Sequence, residues 1–600
     1  MTNSTVAPTS TNVPAVRGAA LFSVIAALML TLLLEALDQT VVGTALPKVV
    51  GSLNGFDRYT WVVTAYLLAS TAVIPVIGKV SDLFGRKWFL LIGVVLFLAG
   101  SVLSGAAQDM NQLILFRALQ GLGAGTGISL VFTVVGDLFP PSERGRWIGL
   151  FSALYGFSSV FGPTIGGWLT DHGPLVGSFV TEQTRRRWVF YINVPVGILA
   201  FIALLLYLPN RRTALGKGAW RRIDFVGASL ASATTICLLL GLSWGSDQTY
   251  AWNAPQVISI LVAAAVLAVA FLLVESRAAE PIIPLTLFRN QTVAADALIA
   301  LGVGLVLLPL VIYLPLFMQG VLSVSATNSG LAITPLTISI VVGATISGIL
   351  VGRLGRYRSL SITAAVILFV GLVLLTRLTA SMPLAVAGII MAIVGLGIGM
   401  FFSINSVIMQ NAVPRTMLGV GTSLVRYLQA LGQTLGVAIV GTVVNTSLSS
   451  GIRSHLSQAD QSTLTPQGVT FATNPQILTT PAYHDTVQRM LQHFAVQQAT
   501  GHIPAGPNHD QAVAAATQQA LQQANDLLAR AIDAVRLSLE AAVVRGLIGM
   551  LAFGVLIIIA AFFLKDIPFQ GRESWGADDA QGQSAPSPAA AWQGAENTTS

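Results

Sequence analysis

Fourteen stretches of mainly apolar residues run through this chain, the first thirteen in close succession. Each approaches or exceeds the roughly 20 residues that carry a helix across the hydrocarbon of a bilayer. In lipid a backbone must satisfy its own hydrogen bonds, so such stretches fold as helices. The composition agrees, with 54% hydrophobic and only 10% charged residues among 600, where soluble chains carry about 25% charged. An all-α, multi-pass membrane protein follows. Its net charge of +7 does not imply nucleic acid, because the basic residues sit in short loops. Lys79, Arg86, Lys87, Arg144, Arg146, Arg211, Arg212, Arg353, Arg356 and Arg415 fall on one side, against Lys48, Arg58, Arg185 to Arg187 and Arg377 on the other. The richer side is the cytoplasmic one, and an even number of spans places both termini there.

The first apolar stretch, Ala19 to Leu46, carries two acids, Glu35 and Asp38. A carboxylate near the bilayer centre is unfavourable by at least about 2.5 kcal/mol, so it survives where it lines a polar cavity or takes up a proton. Three residues apart, the two share a helix face and resist ionising together. Asp38 is the first candidate for a proton carrier. The alternative is an acid permanently paired with a cation, Arg117 or Arg426. Glu35 either shares the proton or caps a polar pocket.

The lone cysteine, Cys237, excludes an internal disulfide and a multi-cysteine zinc site. No glycine-rich nucleotide loop with a Walker lysine is present, so no cofactor or ATP is expected and a gradient must supply the energy. The reading is of a transporter rather than an enzyme. Residues 1–18 and 565–600 read as disordered cytoplasmic tails. Between the thirteenth and fourteenth stretches lies an extracytoplasmic insert, 445–540, rich in Gln, Ala, Ser and Thr. Its last third has amphipathic helical spacing (Leu521, Leu528, Ile532, Val535, Leu539) leading into the final span. Five of the six histidines lie in it, at spacings that fit no compact metal site.

An internal repeat is visible. Gly78-Lys-Val-Ser-Asp82-Leu-Phe-Gly85-Arg86 and Gly348-Ile-Leu-Val-Gly352-Arg-Leu-Gly355-Arg356 share their outer glycines and closing arginine, while the acid is missing from the second copy. The expected organisation is a six-helix half at 19–208, a connector with two extra helices at 209–280, and a second six-helix half at 281–564.

Gly78 to Lys87 resembles the loop signature between helices two and three of the major facilitator superfamily. Arg117-Ala-Leu-Gln120-Gly121 resembles its second motif, and Gly156…Gly162-Pro163-Thr-Ile-Gly166-Gly167 its antiporter motif. Leu37-Asp38-Gln-Thr40…Leu46-Pro47 is similar to the helix-one motif of the fourteen-helix drug:proton antiporter group. Arg187-Trp188-Val-Phe-Tyr-Ile-Asn193-Val-Pro195, Glu280-Pro281 and Tyr313-Leu-Pro315 match as well. Three departures stand out: Gly43 where asparagine is usual, Arg186 where tryptophan is usual, and an added acid, Asp296.

The resemblance implies the major facilitator fold and proton-coupled export of lipophilic, cationic or neutral drugs by a monomer in the cell membrane. It makes Asp38 the proton carrier, with Glu35 beside it and Arg117 facing the cavity and responding to both. Asp82 would cap an opposing helix N-terminus and Arg86 would pair with Asp137, forming with Gly78 and Gly85 a cytoplasmic latch between the halves. Gly156, Gly162, Pro163, Gly166 and Gly167 would favour antiport, although close helix packing alone explains them equally well. Tyr155, Asp296 and Arg426 are candidates for the substrate cavity; Asp296, one turn inside its helix, otherwise reaches cytoplasmic water. A lipid, siderophore or secondary metabolite is the rival cargo. A receptor or assembly protein using the insert, and an uptake symporter, are the rival classes.

Overall fold

The computed structural model describes residues 18–53, 59–172, 174, 187–210, 224–246, 250–322, 326–455, 481–500 and 509–566. Residues 1–17 and 567–600 of the expected tails, the 211–223 loop and residues 456–480 and 501–508 of the insert lie outside the described residues. Helices dominate: α1 (Ala19–Ser52), α2 (Tyr59–Phe84), α3 (Arg86–Ala106), α4 (Met110–Leu138), α5 (Pro141–His172), α6 (Trp188–Tyr191), α7 (Asn193–Tyr207), α8 (Phe225–Ser246), α9 (Pro255–Glu275), α10 (Gln291–Gly320), α11 (Ala326–Leu354), α12 (Arg358–Leu375), α13 (Leu384–Ala412), α14 (Leu418–His455), α15 (Pro481–Thr500) and α16 (His509–Phe562). Among the described residues there is no strand. Thirteen segments among the described residues are long and apolar enough to cross a membrane. The 32-residue α5, diluted by Ser, Thr and Gly, packs lengthwise between α1 and α11 and completes the bundle.

Helices α1 to α7 pack on one another, as do α10 to α14 with α16, and α8 and α9 form a pair against α2 and α14. The two main groups meet along α5 with α11 and α2 with α14. Glycine permits these contacts, because a Cβ on Gly348 would strike the Gly145 carbonyl and one on Gly78 the Gly419 carbonyl. Gly78 and Gly348 occupy the same place in the internal repeat, so each copy supplies one close backbone crossing between the groups. The later glycines of the repeat, Gly85 and Gly355, have φ of 93° and 63°. That left-handed region is closed to most side chains, and it lets the chain turn sharply into the next helix.

Segments α6 and α7 together form the sixth span, expected over 188–208: the backbone stays helical at Ile192, whose N–H bonds the Trp188 carbonyl at 3.0 Å, and Pro195, lacking an N–H, interrupts only one bond of the ladder. Met400, Phe401 and Met409 are buried in the packed core. The insert's amphipathic segment and the last apolar stretch form the single 54-residue α16. At 1.5 Å per residue it is about 80 Å long, well beyond the roughly 30 Å of hydrocarbon. Its projecting part buries Ala524, Leu528, Ala531 and Val535 in one continuous core with Leu448, Ile452, Val487 and Leu491.

Candidate functional site

Three helices converge on Asp38. It lies 19 residues into α1, Arg117 seven residues into α4, and Asn193 at the start of α7. All three sit toward the end of the bundle opposite the Arg-rich loops. Arg117 Nη1 donates to Asp38 Oδ2 at 2.7 Å, while Gln120 Nε2 and Asn193 Nδ2 donate to Oδ1 at 2.8 and 2.9 Å. The guanidinium also lies 4.3 Å from the Tyr66 ring centroid and donates to Gln120 Oε1 at 2.7 Å. Asn193 reaches on to Ser101, whose hydroxyl donates to the Phe190 carbonyl. Asp38 is 0% exposed. Of the two cations considered as its partner the structure chooses Arg117, not Arg426, and encloses the pair fully.

Glu35, one turn earlier, is 2% exposed; its carboxylate accepts from the Ile128 backbone, while Oε2 has no hydrogen-bond partner among the described residues. Its other oxygen lies against Gly127 on α4, where a Cβ would displace it. The site therefore holds two acids and one cation, with the cation committed to Asp38. Gln120, Asn193, Tyr66 and Ser101 were not picked out as site residues. Gln120 and Asn193 stood inside quoted motifs, and their amides were the available signal.

At the Arg-rich end Asp82 accepts from the backbone N–H of Gly419 and Val420, at 2.9 and 2.8 Å, capping the first turn of α14 across the group boundary. Arg86 binds Asp82 as well and donates from Nε to Asp137 at 3.0 Å. Lys79 pairs with Glu280 of the segment after α9, at 2.7 Å. Arg144, expected only as a loop charge, is buried; it donates to the carbonyls of Gly136, Phe139 and Gln410, tying the end of α4 to α13. We expect Asp82→Ala to remove two charge-assisted bonds of about 1.5–3 kcal/mol each. Spin labels on the adjoining ends of α2 and α14 would then report a wider separation; an unchanged separation would show that the cap holds nothing.

Of the helix-five motif, Gly162 lies against Thr40, two residues beyond Asp38, and Gly166 is buried. The side chains at Tyr155 and Pro163, like positions Gly156 and Gly167, lie outside the described residues. Arg426 stacks 3.8 Å from the Phe132 centroid of α4 and donates to Ser406 and Gln429. Asp296 is 0% exposed, which corrects the expectation that it reaches water.

A helical bundle crossed by an enclosed ion pair, with its halves pinned at one end, defines a membrane transporter rather than an enzyme. The chain belongs to the major facilitator superfamily, whose pattern its residues 28–437 match. It is 37% identical to multidrug resistance protein 3 of Bacillus subtilis, over 70% of this chain and 79% of that protein. It is 38% identical to the multidrug transporter protein MdtP of the same organism, over 70% and 75%. Among solved structures, the human organic anion transporter MFSD10 superposes with a TM-score of 0.51 at 15% identity, over 71% of this chain and 94% of that one. That likeness concerns the fold alone.

Proposed function

We propose that the protein exports lipophilic, cationic or neutral compounds across the cell membrane in exchange for protons. The observation that carries this reading is the enclosed Asp38–Arg117 pair with Glu35 one turn away, held by no cation and with Oε2 free of hydrogen bonds among the described residues. One cation between two acids has two arrangements, and a proton arriving at Asp38 releases Arg117 from it. The freed guanidinium then turns to Glu35 or to the cavity, which converts a protonation into a movement of α4 against α1. Gly162 on α5, packed at Thr40, puts the antiporter helix beside that movement.

The Arg-rich end is the cytoplasmic one in this reading, with both termini there. The Asp82 cap, the Arg86–Asp137 pair and the Gly145–Gly348 crossing hold it shut, so the described state is closed toward the cytoplasm. The halves at 19–208 and 281–564 rock about this closure, and the connector at 209–280 follows through Lys79 and Glu280. Lys79 is buried and Glu280 one-third exposed, so the pair ties the connector to α2. The relatives named for multidrug resistance and transport support a drug-like cargo. Purified protein in liposomes with an imposed pH gradient, assayed with ethidium, tests the reading: gradient-dependent movement is expected, and gradient-independent movement contradicts it.

A further inference from the structure

Asp296 lies in the second turn of α10, on the stripe of Val293, Ala300 and Gly304. That stripe packs on α14: Val293 and Ala300 share a core cluster with Leu418, Val420, Leu424 and Val425, and Gly304 meets the Gln429 carbonyl. Neither carboxyl oxygen has a hydrogen-bond partner among the described residues. The charged and titratable groups on the surrounding elements are engaged elsewhere or exposed. Arg426 is held by Ser406, Gln429 and Phe132, and Tyr427 pairs with Thr235. Asp566 accepts from the backbone of Tyr357 and Arg358, while Arg289 and Lys565 are exposed. The described part of α13 carries no acid or base.

A bare carboxylate in such surroundings is strongly disfavoured, and a neutral carboxylic acid is the form that fits. The α14 segment that seals it begins with Leu418 and Val420, and Asp82 grips that same first turn. We propose that Asp296 is a second proton-binding site, loaded in the latch-closed state. When Asp82 releases α14, the α10–α14 seam opens at the Arg-rich end. The Asp296 O–H bond then breaks, and the proton passes to water on that side while the electron pair stays on the carboxylate. Closing the latch requires that a proton reach Asp296 again, this time from the opposite side, so that each cycle carries one proton across. The inference rests on the proposed proton-coupled export and adds a second carrier, in the other half of the molecule from Asp38.

The test uses the full-length protein in liposomes, with ethidium as the transported probe and an internal pH dye, comparing wild type with Asp296→Asn and Asp296→Leu. Both variants should fold, with melting temperatures at or above wild type, because each removes an unpartnered buried acid. Fewer protons should move per ethidium, about half of the wild-type ratio if Asp38 and Asp296 carry one each. Difference infrared spectra of the wild type should show a protonated-carboxyl band that Asp296→Asn removes. An unchanged proton-to-ethidium ratio, or spectra without that band, overturns the second site. Wild-type protein that moves no protons with ethidium overturns the parent reading instead, so the two failures are distinguishable.

Discussion

Asp38→Asn abolishes ethidium movement driven by a pH gradient, while Asp38→Asn/Arg117→Gln regains stability but not coupling. The single substitution leaves Arg117 buried without its carboxylate, and breaking one side of a buried pair is unfavourable by about 3–5 kcal/mol. A loss of function in the single variant alone would therefore be ambiguous. The double variant removes both charges, leaving Gln120 and Asn193 to bond with neutral amides. If the pair is only structural, the double variant melts like wild type and transports under the gradient like wild type. If Asp38 carries the proton, the double variant melts like wild type, passes ethidium down its own gradient and ignores pH. Thermal melting beside two flux measurements separates these outcomes.

Gly348→Leu holds the Arg-rich end open. The Gly348–Gly145 crossing is backbone against backbone, so a branched side chain has no soft neighbour to displace. Overpacking of this kind is unfavourable by about 1–3 kcal/mol, and here it falls on the closed state alone. That is a shift of about 5- to 150-fold in the ratio of closed to open molecules. Maleimide labelling of a cysteine placed at Ala344, which is buried with its carbonyl against Gly149 across the same boundary, should accelerate over that range, and gradient-driven transport should fall. Labelling at the wild-type rate would mean that the two groups do not separate there.

Much of the fold is legible in the sequence because lipid leaves a chain few options. Apolar stretches of spanning length must be helices, and the loop charges order them. The Asp82 contact was legible for a related reason: an acid in a loop of cations has no role in membrane anchoring, which left a helix N-terminus as its natural partner. What could not be read were contacts set by packing between distant stretches. Nothing in a single stretch says that Arg144 is buried under three carbonyls rather than solvated, since its neighbours Glu143 and Arg146 are loop-like. Asp296 was misplaced similarly, because depth along α10 was estimated from its own stretch while α14 supplies the cover. Asn193 was passed over because the apolar stretch around it is continuous, although the helix delivers it to Asp38. Asp38 itself stood out by energy alone.

Coupling has a reciprocal signature, since whatever lets protons drive ethidium must let ethidium drive protons. Liposomes holding the wild-type protein, at equal pH on both sides and with membrane potential clamped, are given an ethidium gradient alone. The account predicts that the internal pH dye records proton movement opposite to ethidium, absent in Asp38→Asn/Arg117→Gln. Ethidium flux with no proton movement in the wild type would contradict it.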